Sequence, residues 1–311
     1  MDQIHIYEVG PRDGWQNVEE LISTEEKKKI IDALADADIS HIQICSFVSP
    51  KAIPQMRDAK EVAEYCVSRY PDIDLLALAP NLRGVKDAKE AGIRHLSYVV
   101  SLSESHNKAN INRTREESLQ ELESIIQTYP ELDICVDIAT SFGCPFEGRP
   151  KEGELTEFAE QVHGLGVKEI CLCDTIGVAD PLQVRTEIRN VTKACPELEL
   201  MVHIHDTRGM GLACTLAAAE EGVSKVQSTL GGLGGCPFAP GASGNTATED
   251  LVYMFQRMGY DTGADFGKLL KLSKYQKSVI QGNYSGHHVT IQMDQECGER
   301  GGGQTCTVRW I

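Results

Sequence analysis

The chain lacks the sequence features of a membrane-bound, secreted or nucleic-acid-binding protein. No run of 18 apolar residues occurs among its 311 residues, so no segment is predicted to cross a bilayer. Residues 1–10 lack a basic segment followed by an apolar one, which predicts that no secretory signal is present. Positive charge is scarce, and the net charge of −16 argues against nucleic acid or an anionic membrane as a partner.

A disulfide framework and nucleotide-binding motifs are missing as well. The 11 cysteines are scattered without regular spacing, which together with the missing signal predicts reduced thiols and a cytoplasmic location. No Walker or dinucleotide-binding fingerprint occurs, and no low-complexity linker divides the chain. At this length the chain can bury a large core, either as one large domain or as two small ones.

A regular alternation of strand and helix patterns is present instead. Predicted strands cover residues 4–9, 41–46, 73–79, 95–101, 132–139, 169–173, 198–205 and 223–228. Predicted helices cover residues 24–37, 57–69, 82–91, 115–128, 152–165, 181–191, 210–220 and 246–258. Strands that alternate with helices form parallel sheets, and eight such units in about 250 residues favour a closed barrel over a doubly wound open sheet. We predict an α/β fold, a (β/α)8 TIM barrel at residues 1–272, with a C-terminal extension at 273–311 that packs on the barrel or on a partner subunit.

A pair of histidines marks the rim where the active site of such a barrel lies. His203 and His205 are two residues apart on the seventh predicted strand, so both imidazoles face the same side. Asp13 follows the first strand and Asn245 lies after the eighth, and these strands are neighbours in a closed barrel. The set predicts a six-coordinate Mg²⁺ or Mn²⁺ site rather than a closed zinc site, although Co²⁺ stays open. The alternative is a pair of histidines that pack in the core.

The glycine-rich segment after the eighth strand, residues 228–252, carries a cysteine in an unusual setting. It holds six glycines and almost no charge, and Cys236 lies between a glycine and a proline. We predict that Cys236 donates or accepts a proton above a bound ligand, the alternative being an inert thiol in a flexible loop. Arg12, beside Asp13, offers fixed donors to a developing enolate or carboxylate oxygen, unless it forms a salt bridge with a surface acid.

Seven segments together resemble the 3-hydroxy-3-methylglutaryl-CoA lyases, metal-dependent enzymes built on a TIM barrel. They are EVGPRDGWQN, SFVSPKAIPQM, APNLRG, GCPFEG, CDTIGV, HIHDT and GGLGGCPFAPGASGNTATEDLVYM. The resemblance runs from about residue 4 to residue 270 and implies four metal ligands, namely Asp13, His203, His205 and Asn245. It further implies that Arg12 stabilises a thioester enolate, that Cys236 protonates it, and that the protein is a homodimer.

The implied reaction is a retro-Claisen-type cleavage of an acyl-CoA. A base, either Asp13 or His203, removes the proton of a tertiary hydroxyl that the metal has made more acidic. The carbon–carbon bond then breaks into a keto acid and acetyl-CoA. We assign substrate binding to six polar residues at the same rim, Gln16, Gln43, Ser46, Asp174, Thr175 and Arg208. Three glycines, Gly232, Gly234 and Gly235, are expected to let the Cys236 loop close.

The chain departs from the family pattern at five positions. Gln43 replaces a glutamate, Arg208 a tyrosine, Gln227 an aspartate, Trp15 a leucine and Glu19 a lysine. Gln43 keeps the shape of glutamate but cannot take up a proton. We therefore expect preserved metal chemistry with an altered substrate. Two other classes stay open: an aldolase or condensing enzyme acting on a related hydroxy acid, and a barrel that binds metal and ligand without catalysis.

Overall fold

The chain forms a closed barrel of parallel strands surrounded by helices. The computed structural model describes residues 2–235 and 244–291. The strands are β1 (His5–Glu8), β2 (His41–Ser46), β3 (Asp74–Leu78), β4 (His95–Ser101), β5 (Asp133–Ala139), β6 (Glu169–Asp174), β7 (Glu199–Ile204) and β8 (Lys225–Ser228). Each strand pairs with the next along the chain, and β1 closes the barrel by pairing with β8, where Tyr7 lies opposite Gln227. The predicted (β/α)8 TIM barrel is confirmed.

Helices alternate with the strands and cover the outside of the barrel. Those of the described residues are α1 (Thr24–Asp36), α2 (Ala59–Arg69), α3 (Leu82–Glu90), α4 (Glu104–Ile111), α5 (Arg115–Thr128), α6 (Glu154–Gly164), α7 (Pro181–Ala194), α8 (Gly211–Glu220), α9 (Thr248–Arg257) and α10 (Phe266–Val279). All predicted strands and helices are present, with ends that differ from the prediction by at most three residues. Within the described ranges, no helix is both long enough and apolar enough to cross a membrane.

The sequence patterns do not predict α4 and α10. Each begins at a side-chain cap: Ser103 Oγ accepts the backbone N–H of His106 at 3.1 Å, and Asp265 Oδ1 accepts that of Lys268 at 3.0 Å. The sequence of α4, ESHNKANI, has no continuous apolar face, so periodicity does not reveal it. Helix α10 packs against α1 and α9 and runs through residue 272, the predicted end of the barrel.

Two apolar layers support the barrel. The larger lies between strands and helices and includes Trp15, which is fully buried and donates from Nε1 to Gln276 Oε1 at 3.2 Å. A smaller, sulfur-rich cluster inside the barrel consists of Tyr7, Leu76, Cys135, Cys171, Cys173 and Met201. Because side chains alternate along a strand, the next residues on the inner face of β5 and β7 are Asp137 and His203. Polar groups therefore begin where this cluster ends.

The end of the described chain packs against the segment that follows β8. Ser285 Oγ donates to the carbonyl oxygen of Asn245 at 2.6 Å. The backbone N–H groups of His287 and His288 donate to the Asp250 carboxylate at 2.7 and 3.0 Å. Asp250 lies in the first turn of α9, so these contacts fasten residues 285–288 to that helix.

Two fully buried glutamates hold the start of the same segment. Glu8 accepts hydrogen bonds from the backbone N–H groups of Gly10 and Leu230, at 2.8 and 2.9 Å, and from Thr248. Glu249 accepts the N–H of Gly231 at 2.8 Å. Burial raises the pKa of Glu8 to about 7 and that of Glu249 to about 8, so the folded protein favours their protonated forms.

We expect the free energy of unfolding to fall as the pH rises. A carboxyl group with a raised pKa in the folded state contributes its stability below its unfolded pKa and loses it as the pH passes the folded value. For Glu249 the loss should be about 2 kcal/mol between pH 6 and pH 9. Urea denaturation should show that Glu249→Gln removes this part of the dependence, while the part due to Glu8 remains. Glu160→Gln, on the exposed face of α6, should leave it unchanged; equal pH dependence in both variants would contradict the prediction.

Candidate active site

A cavity of about 340 Å³ opens at the carboxyl ends of the barrel strands. Its lining includes Arg12 and Asp13 after β1, Asp137 on β5, and His203 and His205 at the end of β7. Polar groups from separate strands therefore meet in one concave site. This end of a (β/α)8 barrel is where such enzymes carry out their chemistry.

A single turn of π-helix, Gly10–Gly14, positions Arg12 and Asp13 directly after β1. The turn is tight because a Cβ at Gly10 would lie 2.4 Å from Glu8 Oε1, the atom that accepts the Gly10 N–H. Turns of this type are rare and occur mostly at functional sites. The buried Glu8 thus fixes the backbone that carries both polar side chains.

The four predicted metal ligands lie together, and three of them, Asp13, His203 and His205, line the cavity. The Nε2 atoms of His203 and His205 face each other at 3.1 Å, and a carboxylate oxygen of Asp13 lies within 4.8 Å of both imidazoles' ligand atoms. Asn245 Nδ2 donates to Asp13 Oδ2 at 2.8 Å. His203 Nδ1 lies 2.8 Å from Gln227 Oε1. Because an amide oxygen only accepts, this contact places the proton of His203 on Nδ1 and leaves the Nε2 lone pair directed at the cluster.

The residues present fit a divalent metal ion. Asn245 Oδ1 is buried and has no hydrogen-bond partner among the described residues, and a buried polar atom of this kind is costly without a ligand. Burial lowers the pKa values of both histidines, that of His205 to about 4 with a further contribution from His203. Burial opposes ionisation of Asp13, but its pKa is lowered to about 2, with the positive charge of Arg12 and the hydrogen bond from Asn245 favouring the carboxylate. At neutral pH the cluster therefore offers two neutral imidazoles and a carboxylate, the forms that bind metals.

Arg12 is held from two sides. Its Nε donates to Gln43 Oε1, and its Nη1 donates to Asp13 Oδ1 at 2.5 Å. Gln43 Nε2 in turn donates to Ser97 Oγ at 2.7 Å. Gln43, one of the five departures from the family pattern, is fully buried and contacts Arg12 directly. Its amide therefore orients the guanidinium without adding a second negative charge.

The residues predicted to bind substrate divide into two groups. Gln16, Ser46 and Thr175 line the cavity. Asp174 instead accepts the backbone N–H groups at positions 178 and 179, at 3.0 and 2.9 Å. Arg208 donates to the backbone carbonyls at positions 176 and 177, at 2.7 and 3.0 Å. The latter two side chains therefore shape the loop after β6 and are not among the residues that line this cavity.

Two of the three predicted loop glycines lie where no side chain would fit. Gly234 has a φ of +155°, and a Cβ there would lie 2.4 Å from Asn245 Nδ2. A Cβ at Gly232 would lie 1.9 Å from Ser285 Oγ. Gly235 lines the cavity, and its carbonyl accepts from Asn17 Nδ2 at 3.0 Å. The next residue, Cys236, lies outside the described residues.

Sequence reasoning missed Asp137 and the residues that α4 adds to the cavity, His106, Asn110 and Ile111. Asp137 stands within an otherwise apolar stretch of β5, CVDIA, at 3% exposure. The signal was available, because a charged residue inside an apolar strand is costly unless it has a partner or a function.

The chain matches the HMGL-like family over residues 3–275. It is 42% identical over 275 residues to the mitochondrial hydroxymethylglutaryl-CoA lyase of Homo sapiens, an alignment that covers 88% of this chain and 84% of the human one. The HMG-CoA lyase structure from Bacillus subtilis superposes with a TM-score of 0.88 at 38% identity, covering 93% of this chain and 97% of the other.

A second structure is similar in the same way and contains ligands. It is an HMG-CoA lyase from Acinetobacter baumannii in complex with coenzyme A and 3-methylmalate. Its TM-score is 0.88 at 38% identity, and the alignment covers 95% of this chain and 97% of that one. The barrel, the polar cluster at its rim and these similarities agree, and the chain belongs to the HMGL-like family.

Proposed function

We propose that this protein is a carbon–carbon lyase that cleaves 3-hydroxy-3-methylglutaryl-CoA, or a closely related 3-hydroxyacyl-CoA, to acetyl-CoA and a keto acid. For hydroxymethylglutaryl-CoA the keto acid is acetoacetate. The observation that carries the proposal is the convergence of Asp13, His203 and His205 beside the oriented Arg12 in one cavity, with Asn245 hydrogen-bonded to Asp13. Membership of a family that includes hydroxymethylglutaryl-CoA lyases supports it.

The four clustered residues would hold Mg²⁺ or Mn²⁺, because their oxygen and imidazole ligands leave room for further oxygen ligands from substrate. A bound ion would supply Lewis acidity at the hydroxyl and carboxylate oxygens of the substrate. Arg12 supplies positive charge and fixed donors to the thioester oxygen as the enolate forms. Cys236 then protonates the carbon of that enolate, which yields acetyl-CoA.

The residues predicted to bind substrate have direct or indirect roles, according to whether they line the cavity. Gln16, Ser46 and Thr175 contact the substrate directly, and Ser46 Oγ is buried with no partner among the described residues. Gln43 acts through Arg12, whereas Asp174 and Arg208 act by shaping the loop after β6. Gly232, Gly234 and Gly235 allow the segment before Cys236 to approach the ligands closely.

The protein would work as a homodimer in the cytoplasm, with an acyl-CoA as its small-molecule partner. A reducing compartment is supported by the cysteines, because all eight of those in the described residues are free thiols. Size-exclusion chromatography with light scattering tests the dimer.

The decisive experiment is an assay of acetyl-CoA release by the purified protein with Mg²⁺ or Mn²⁺. The panel contains hydroxymethylglutaryl-CoA, citramalyl-CoA, a longer branched analogue and the corresponding free hydroxy acids. Metal-dependent release from at least one thioester, abolished by EDTA, supports the proposal. Cleavage of a free acid alone would favour an aldolase, and binding without any cleavage would favour a non-catalytic barrel.

Gln43→Glu should lower kcat about tenfold on the best substrate of the wild type. The new carboxylate would compete with the substrate for Arg12, which already shares its charge with Asp13 at 2.5 Å. Steady-state kinetics on the same panel measure the effect, with metal affinity as the control for site assembly. A large gain on hydroxymethylglutaryl-CoA would instead identify Gln43 as a loss of function within an otherwise intact lyase.

A further inference from the structure

Asp137 is a buried carboxyl group in the cavity wall that none of the roles above uses. It lies on β5 and lines the cavity together with Arg12, His203 and Gln227. Asp137 pairs with Val99 of β4 and Cys171 of β6. Because paired residues face the same side of the sheet and Cys171 belongs to the cluster inside the barrel, the Asp137 side chain points inward. A carboxyl group is seldom buried in a barrel interior unless it serves a function or a structural ion pair.

The two bases that the family resemblance suggests are both occupied. Asp13 accepts three side-chain hydrogen bonds: Oδ1 from Arg12 at 2.5 Å and from Gln16 at 2.9 Å, and Oδ2 from Asn245 at 2.8 Å. His203 carries its proton on Nδ1 toward Gln227, and its Nε2 is directed at the metal cluster. Three donors thus already engage the Asp13 carboxylate, and the one lone pair of His203 is committed to the metal cluster.

Asp137 is less engaged. The Cys135 thiol, a weak donor, lies 3.9 Å from its Oδ1, and the Gln227 amide also contacts it. Its carboxylate oxygen lies within 4.8 Å of the sulfur atoms of Cys171 and Cys173. Asp137 is only 3% exposed, and the positive charge of Arg12 favours its ionised form.

We propose that Asp137 is the general base that accepts the hydroxyl proton of the substrate, an assignment that rests on the lyase function proposed above. The O–H bond breaks with its proton moving to Asp137 Oδ, and the electron pair of that bond forms the new ketone C=O. The carbon–carbon bond breaks, and its electron pair becomes the enolate of acetyl-CoA beside Arg12. A proton donor then protonates the enolate carbon, and Asp137 releases its proton to solvent after the keto acid leaves.

The surroundings of Asp137 suit a base that works near neutral pH. Charged or titratable groups face it from three directions: Arg12 and Asp13 after β1, Cys135 on β5, and Glu169, Cys171 and Cys173 on β6. Burial raises the pKa of Asp137 to about 6, with Arg12 and Gln227 limiting the rise. At pH 7 the group is mostly ionised, yet it is more basic than an exposed aspartate.

Asp137→Asn in the full-length, metal-loaded protein tests the assignment. We expect kcat to fall by about 10²-fold to 10³-fold with KM nearly unchanged, because general bases contribute at this level. The wild-type kcat should decline below about pH 6, and the variant should lose that acid limb. Asp137→Gly should regain activity when formate is added, since formate can fill the vacated space and accept the proton. Asp133→Asn, the same change at the exposed start of β5, should behave like wild type.

Metal binding, activity and formate rescue together decide whether Asp137 is the general base. Mn²⁺ binding measured by electron paramagnetic resonance should be equal in wild type and Asp137→Asn, which shows that the fold and the metal cluster are intact. If the variant binds Mn²⁺ and keeps activity within threefold, or keeps the acid limb, Asp137 is not the base. If the variant does not fold, formate rescue of Asp137→Gly decides instead, and failure of rescue overturns the assignment. A wild type that cleaves no thioester overturns the lyase function and this assignment together.

Discussion

His205→Ala should lower kcat for acetyl-CoA release by about a thousandfold or more and weaken metal binding to the same degree. The imidazole is buried, its Nε2 lies 3.1 Å from that of His203, and burial keeps it neutral at physiological pH. A neutral imidazole has a single lone pair, and a buried one that lies beside a carboxylate and a second imidazole is well suited to bind a metal ion. Its removal deletes a ligand and leaves a void where water competes for the ion.

Metal affinity and kinetics must be measured together for this variant. Titration with Mn²⁺ gives the affinity, and kcat at saturating metal separates weak binding from a damaged site. His163→Ala is the matched control: that ring lies on α6, donates from Nδ1 to the carbonyl oxygen of residue 167, and is not among the residues lining the cavity. Unchanged metal affinity in His205→Ala would show that His205 does not bind the metal ion.

The fold could be predicted well because each unit repeats one physical signal. Strands β2 and β4 and helix α5 begin and end at the predicted residues. Helix α4 could not be found in this way. Its polar sequence is stabilised by the Ser103 cap and by packing beside the cavity, and neither leaves a periodic pattern.

The site was predictable where strand geometry alone determines direction. His203 and His205 face the same side because they are two residues apart, and β1 lies next to β8 in any closed barrel of this order. Asp174 and Arg208 also stand at strand ends, but their side chains bind loop backbone instead of the cavity. Whether a polar residue at a strand end faces ligand or caps a loop depends on loop conformation, which the sequence pattern does not contain.

Arg12→Lys should lower kcat by about a thousandfold while KM changes little. The guanidinium is 7% exposed and is fixed in one orientation by Gln43 through Nε and by Asp13 through Nη1. Lysine keeps the charge but has one terminal nitrogen, so it cannot contact both partners and still present a planar donor to the enolate. The loss should appear in the transition state, where the oxygen becomes charged, and much less in the ground state.

Two measurements and a control variant distinguish a direct role of Arg12 in catalysis from one in which it only holds Asp13 in place. Steady-state kinetics give the division between kcat and KM, and Mn²⁺ titration shows whether Asp13 still binds metal once its ion pair is altered. Arg94→Lys, the same change at an exposed position before β4, should have no effect. If Arg12→Lys lowers metal affinity as strongly as kcat, the guanidinium serves chiefly to hold Asp13. If metal affinity is retained and kcat collapses, the fixed donors of the guanidinium act on the substrate, because the contact with Asp13 at 2.5 Å has then been shown to be dispensable for the metal site.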